Sequence, residues 1–505
     1  MVINSVLVAA AGIVFAAFWF VGSWARLRHI PGPFSASITN LRRLGWAYTA
    51  RYHEIQRALH EKYGKIVRLG PNCVSIGDAR EISKIHGTAA SFPKSDFYRV
   101  FQPMVHGKIV AGVFNSLDEG LHRALRRPIA GIYSMSNLVD FERYVDTTIN
   151  VLLEQLDRRY GNGEDAICDM GTWLQYFAFD VMGEITFSRR LGFLDQGTDV
   201  EGIIHQIWKV NEYGACVGQM PWLDRIWAKN PLVHSLFPPK GSPIVAFAVA
   251  RGMERRAAIK DAKEDGEEAY NSRDFMSRFI EARAKDPANI PESYITAWAT
   301  SNMQAGSDTT AIFLRAVVYY LLQNPECERK LLAELVRARK AGRLSDVVTW
   351  KESRDLPYLD ACIKEAGRMH PAAGFALERV VPRGGVELCG KFIAEGTVVG
   401  INAWVAHRDR AVFGEDADVF NPDRWLGDAG RRVSMERCLL TFGAGHRTCI
   451  GKNISYLEMY KLIPTLFMKY QMTLQSEWTI ENHWLAVQKN LLVKLRKRED
   501  WDVVA

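Results

Sequence analysis

The chain has 505 residues, with 64 basic and 57 acidic side chains for a formal net charge of +7, and is 48% hydrophobic with 14 Trp, 24 Phe and 17 Tyr. Length alone would allow about three domains, but this apolar content is ample for one large core. The charge is mild and no Lys/Arg stripe is interleaved with aromatics, so nucleic acid is excluded as a partner, while an anionic membrane surface or an acidic protein partner is compatible. Eight cysteines without a C-x-x-C pair exclude a zinc site and a disulfide framework, and fit a reduced, cytosol-facing protein.

In chain order, residues 2–24 (VINSVLVAAAGIVFAAFWFVGSW) carry no charge and are long enough to cross the roughly 30 Å hydrocarbon layer as a helix. Trp19, Phe20 and Trp24 stand near one end, and Arg26 and Arg28 follow, which predicts a single-pass anchor with the downstream chain in the cytoplasm. A cleaved signal peptide would want a basic start and a shorter apolar run. The turn IPGP (30–33) ends the segment. The predicted division is therefore an anchor over 1–28 and a catalytic domain over 29–505.

Extended segments are predicted at 65–77 and 386–401, where β-branched runs meet glycine turns. Polar breaks at 236–243 and 260–274 read as surface connections, and most of the chain to about residue 370 reads as helices. The predicted fold is mainly α with a small β-sheet. One helix, 293–314 (SYITAWATSNMQAGSDTTAIFL), has a single charge, Asp308, and so must be buried nearly all round. Thr309 there is placed to turn its hydroxyl onto the carbonyl of Ala305, and Gly306 removes bulk in the same turn. The turn is either a satisfied helix kink or a groove for a small oxygen ligand beside a proton donor.

Residues 442–453 read FGAGHRTCIGKN. A dinucleotide fingerprint would need a third glycine where Thr448 stands. A thiol nucleophile would need a base placed by the fold. A sulfur ligand explains more: Ile450, Ile454 and Leu457 share a helical face, so Cys449 sits at a helix N-terminus, where thiolate is favoured. Gly443, Gly445 and Gly451 leave room for a flat macrocycle, and Arg447 can pair with a carboxylate on its edge.

Here the chain resembles the cytochrome P-450 family of heme-thiolate monooxygenases. The signature F-x-x-G-x-R-x-C-x-G is matched by Phe442, Gly445, Arg447, Cys449 and Gly451, and A-G-x-D-T-T by Ala305, Gly306, Asp308, Thr309 and Thr310. The family's Glu-x-x-Arg is matched by Glu365 and Arg368, with Arg424 of FNPDRW as the third member of a structural triad. HRALRR (122–127) matches a helix whose arginine, here Arg126, binds a heme propionate. His122 stands where many members have tryptophan, and Arg379 is expected to reach a propionate too. The resemblance runs from about residue 30 to the C-terminus, and residues 370–425 look most like fungal members similar to pisatin demethylase.

What the resemblance implies is the cytochrome P-450 fold, heme b held by Cys449, and Asp308 and Thr309 as a proton relay. Electrons would come from NADPH through NADPH-cytochrome P-450 reductase, and an apolar small molecule would be hydroxylated or O-demethylated at the endoplasmic reticulum membrane. Substrate walls are expected from 94–115, Trp298 to Thr309, Ala372 to Leu377 and 482–487. A heme-thiolate isomerase or dehydratase, which uses no dioxygen, and a non-enzymatic heme-binding protein are the competing readings.

Overall fold

Apolar positions at helical spacing build most of the molecule around one central helix. The computed structural model describes residues 21–22, 24–89, 92–105, 107–161, 166–237, 242–264 and 274–498. Five helices position the site: α1 (Glu119–Arg126), α2 (Met170–Phe187), α3 (Glu292–Gln323), α4 (Pro357–Met369) and α5 (Lys452–Lys469). The Asp118 side chain caps α1 by accepting from Leu121 N at 2.6 Å, and Asp169 caps α2 by accepting from Thr172 N at 3.3 Å. Pro357 opens α4 at the one place where a missing N–H costs nothing.

The helix predicted over 293–314 is longer than its apolar run, extending to Gln323. It packs most extensively against α2. Gly306 makes that approach possible: a Cβ there would lie 2.6 Å from Met182 Sδ. Its smallness is therefore used by the α2–α3 interface.

Both predicted extended segments are strands. β1 (Ile66–Gly70) and β2 (Cys73–Ile76) form a hairpin, and β3 (Leu377–Val380) and β4 (Val398–Ile401) complete a four-stranded sheet in the order β1–β2–β4–β3. The β2–β4 pair is parallel, Cys73 opposite Val398 and Ile76 opposite Ile401, and the other two pairs are antiparallel. A short hairpin at Val386–Leu388 and Lys391–Ile393 precedes β4. The predicted anchor, 2–24, falls almost wholly outside the described residues. Among the described residues no helix is long and apolar enough to cross a membrane.

Candidate active site

The Cys449 loop is tied into a knot by its own backbone. Gly443 N donates to Leu440 O at 2.9 Å, Cys449 N to Phe442 O at 2.8 Å, and Thr448 N to Gly445 O at 3.0 Å. Gly443 and Gly445 take left-handed φ values of +69° and +63°. Gly445 is doubly constrained, because a Cβ there would lie 1.9 Å from His86 O. The space at Gly445 is occupied by the 86–87 backbone, whereas nothing lies within 4 Å of the position a Cβ would take at Gly451.

Cys449 lies three residues before the start of α5 at Lys452, and it is accessible. Burial nevertheless pushes its pKa up, against the pull of the Gly451 and Lys452 N–H groups and of Arg126. A thiol that is both accessible and enclosed by protein lines an internal cleft. The helix N-terminus favours thiolate, as predicted, but burial wins, so metal ligation at this sulfur releases a proton.

The opposite wall of the cleft comes from α3. Thr310 Oγ1 lies 2.7 Å from Ser455 Oγ on α5, and the Phe313 and Phe442 rings are 5.9 Å apart. These contacts bring the Thr309 turn to the Cys449 loop. Thr309 Oγ1 donates to Ala305 O at 2.7 Å, the backbone-directed hydroxyl predicted from the sequence.

Asp308 faces the other way. Gln175 Nε2 on α2 donates to its Oδ1 at 2.6 Å, and Arg315 donates in turn to Gln175 Oε1 at 2.8 Å. Arg315 is fixed by the carbonyls of Gly171 (2.8 Å) and Gln488 (3.3 Å). Burial raises the Asp308 pKa to about 6, with the Gln175 hydrogen bond and the Arg315 charge pulling it down. Asp308 and Thr309 thus share a turn without touching the same partner. Gln175 and Arg315 carry no motif and were not expected from the sequence.

The folded-state pKa of Asp308 lies above the ordinary 3.8, so the folded chain keeps a proton that the unfolded chain releases. Stability associated with this group therefore falls as pH rises from about 4 through about 6, and at pH 7 it is a cost. Asp308→Asn should raise stability at pH 7 by at most about 3 kcal/mol, while leaving it unchanged near pH 3. If Asp308 delivers protons, the same change should lower coupled turnover by about a hundredfold or more. Denaturant titrations at the two pH values check the sign; equal changes at both would show that Asp308 does not titrate as described.

On the rim, Arg126 donates to Thr448 O at 2.8 Å and lies close enough to Cys449 to act on its charge. Arg447 donates to Glu119 Oε1 at 2.7 Å and to Ser116 O at 2.9 Å, and His446 Nε2 lies 3.2 Å from Glu119 Oε2. His122 is buried, and burial, then the Arg447 charge, lowers its pKa to about 3, so the imidazole is neutral at physiological pH. Arg379 is buried next to a lysine the sequence did not single out, Lys94, across an antiparallel bridge between their backbones. Lys94 Nζ donates to Phe114 O and sits 4.0 Å from the Tyr98 ring and 4.3 Å from the Phe114 ring. Its pKa is well below the usual lysine value because of burial and the Arg379 and Arg447 charges.

These residues fit an edge-bound dicarboxylate. Lys94, Arg379, Arg447 and Arg126 face one another's charges, whereas Glu119 is already engaged by Arg447 and His446. Glu378 is taken by Arg43 and by Ser95 at 2.6 Å. His86 is buried beside Lys94 and Arg379 with neither ring nitrogen partnered among the described residues. The donor set (a thiol below, cations on the rim, a small-residue loop) matches what heme with its two propionates requires.

The structural triad forms and is wider than predicted. Arg368 donates to Glu365 Oε2 (2.9 Å) and Oε1 (2.7 Å), and Arg424 Nε to Oε1 at 2.9 Å. Trp425 Nε1 and Asn421 N add bonds of 2.9 Å each. Burial pushes the Glu365 carboxyl up, but the Arg368 hydrogen bond and the two arginine charges more than offset it, leaving its pKa lowered. His407 carries the triad to the cysteine loop: its Nδ1 donates to Arg368 O at 3.0 Å and its Nε2 accepts from Leu440 N at 2.8 Å.

Of the expected substrate walls, Phe97, Phe101, Phe114, Phe375 and Trp484 are brought together. Trp484 lies 5.3 Å from Phe97, 5.7 Å from Phe101, 5.9 Å from Phe114 and 6.2 Å from Phe375, centroid to centroid. Trp298 instead is buried, its indole donating to Leu125 O at 3.2 Å, so it braces α3 against α1.

A family model described as Cytochrome P450 matches residues 31–496. The chain is 50% identical over 472 residues to a cytochrome P450 monooxygenase of Aspergillus terreus, covering 93% of this chain and 95% of that protein. It is 48% identical over 476 residues to cytochrome P450 monooxygenase cicH of Emericella nidulans, covering 94% of each. Cytochrome P450 monooxygenase mpaDE of Penicillium brevicompactum is 43% identical over 497 residues, which are 97% of this chain and 58% of that protein.

Proposed function

This chain belongs to the cytochrome P450 family and is a heme-thiolate monooxygenase, and from that premise we propose that it is a membrane-anchored enzyme of fungal secondary metabolism that hydroxylates or O-demethylates an apolar small molecule. Bound at Cys449, heme b would supply the dioxygen-activating chemistry, with electrons from NAD(P)H through a reductase. The electron donor we assign is NADPH-cytochrome P-450 reductase.

The protein's own share begins with Cys449, whose backbone-knotted loop would present the ligand sulfur. Lys94, Arg126, Arg379 and Arg447 would hold the propionates. Thr309 offers a hydroxyl oxygen toward the cleft while its proton rests on Ala305 O, and Asp308, with a pKa of about 6, would supply protons from the α2 side. The aromatic group around Trp484 supports an apolar substrate.

The observation that carries the reading is the Thr309 turn packed against the Cys449 loop, since an isomerase has little use for a proton donor there. Thr309→Ala removes the hydroxyl and leaves the sulfur, the rim cations and the outer surface intact. Electrons should still arrive, so peroxide released per dioxygen consumed should rise several-fold in the reductase-reconstituted enzyme. A variant with the wild-type ratio would make Thr309 a helix-bending residue only and revive the isomerase reading.

Membrane attachment rests on the apolar sequence 2–24 and on exposed apolar side chains elsewhere in the chain. Phe34 (72% exposed), Tyr48 (77%), Leu232 (74%) and Phe237 (71%) lie in segments 34–48 and 222–237. The helix Ile203–Val217 packs against Leu41–Tyr48 and leads into the second segment. Exposed apolar side chains on these two segments suit the surface of the endoplasmic reticulum membrane. Deleting residues 1–28 should convert an integral protein into one that alkaline carbonate releases from membranes. Retention in the carbonate pellet would require another inserted element.

A further inference from the structure

His86 closes the short helix Ile82–His86 and is 3% exposed. Both of its ring nitrogens are enclosed, and neither has a hydrogen-bond partner; among the described residues no other histidine combines the two. A buried N–H left unpaired costs stability, and an apolar side chain such as those of Ile82 and Ile85 on the same helix would avoid that cost. The position is built for a partner that the protein itself does not supply.

Two contacts fix where that partner would sit. The helix packs against the 445–447 turn of the cysteine loop, and a Cβ on Gly445 would lie 1.9 Å from His86 O. The ring, in turn, lies within reach of the rim cations. Burial, then the Arg379 and Lys94 charges, hold the imidazole neutral, with a pKa well below the ordinary 6.5. The protein acceptors nearby are engaged: Lys94 donates to Phe114 O, Arg379 Nη1 to Glu378 O at 2.9 Å, and the Glu378 carboxylate is held by Arg43 and Ser95. Donors from three segments thus stand together, and what they lack is an anion. A neutral imidazole adds a hydrogen bond there without adding to the mutual repulsion of the cations.

We propose that His86 is a neutral hydrogen-bond donor to one of the carboxylates on the heme edge, beside Lys94 and Arg379. Because its carbonyl abuts Gly445, the same residue ties that carboxylate to the cysteine loop. This assignment rests on the heme reading above. It involves no bond to iron and no proton transfer.

The test uses the full chain, heme-free and heme-loaded. His86→Phe should leave the heme-free chain at least as stable as wild type, since it removes an unpaired polar group, yet the loaded variant should release heme to excess apomyoglobin several-fold faster. His86→Gln keeps an N–H and should release it near the wild-type rate. Loaded instead with heme dimethyl ester, whose edge carries no carboxylate, wild type and His86→Phe should release at the same rate. Equal rates with ordinary heme, or a difference that persists undiminished with the ester, overturns the proposal. If His86→Phe does not accumulate as folded protein, nitrogen-15 histidine spectra of the reduced, carbon monoxide-bound wild type decide. An imidazole N–H signal that is missing from His86→Gln should exchange more slowly with ordinary heme than with the ester, and equal exchange overturns the proposal. A wild type without the red-shifted carbon monoxide band of thiolate-ligated heme would remove the heme reading itself. A wild type that shows that band, with His86→Phe releasing heme no faster, would remove only the His86 assignment.

Discussion

Cys449→Ser is expected to reduce turnover to background while changing the stability of the heme-free chain by no more than about 1 kcal/mol. The side chain is accessible, and the knot that shapes its loop is backbone to backbone, so an oxygen for a sulfur disturbs little packing. What is lost is the thiolate, whose electron donation favours O–O cleavage. Arg126, Thr309 and the rim cations stay where they are, so a fall in turnover with unchanged folding isolates the ligand. Thermal unfolding of the heme-free protein and NADPH-driven turnover of the reconstituted protein check the two halves. Retained turnover would move the ligand elsewhere.

Glu365→Ala should cost about 3–5 kcal/mol, because it leaves two buried arginines without their carboxylate. Against a total stability of about 5–15 kcal/mol, that is enough to deplete the folded protein. Its reach extends beyond the local pair. Arg368 carries its carbonyl to His407 and His407 carries the Leu440 amide, so loosening Glu365 loosens the start of the cysteine loop. The same carboxylate makes stability pH-dependent. Its folded pKa is below the ordinary 4.5, so its contribution is present above that value and is lost as pH falls through the folded one. Denaturant unfolding at neutral pH, with heme retention alongside, measures the effect. A variant as stable as wild type would show that the triad is dispensable.

The parts of the site legible in sequence are those whose partners lie within a turn or two. The Thr309–Ala305 bond, the Glu365–Arg368 pair and the position of Cys449 before α5 all follow from helix geometry and local glycines. Lys94, His86, Gln175, Arg315 and His407 were not legible, because each acts through a residue far away in the chain. Lys94 meets Arg379 only because two backbones pair, and Gln175 meets Asp308 only because Gly306 lets α2 and α3 approach. The packing partners of two glycines were likewise not legible, since Gly306 lies against Met182 and Gly445 against the 86–87 backbone, both distant in the chain. The net pKa of Cys449 also escaped the sequence, since burial is a property of the whole fold.

The central proposal is that Cys449 would ligate a heme held by the cysteine loop and the rim cations. The absorption spectrum of the reduced, carbon monoxide-bound wild-type chain reads this directly. A thiolate-ligated heme gives a strongly red-shifted main band, which the account predicts for the full chain at neutral pH. A main band at the position of a histidine-ligated or unligated heme in correctly folded protein would contradict it.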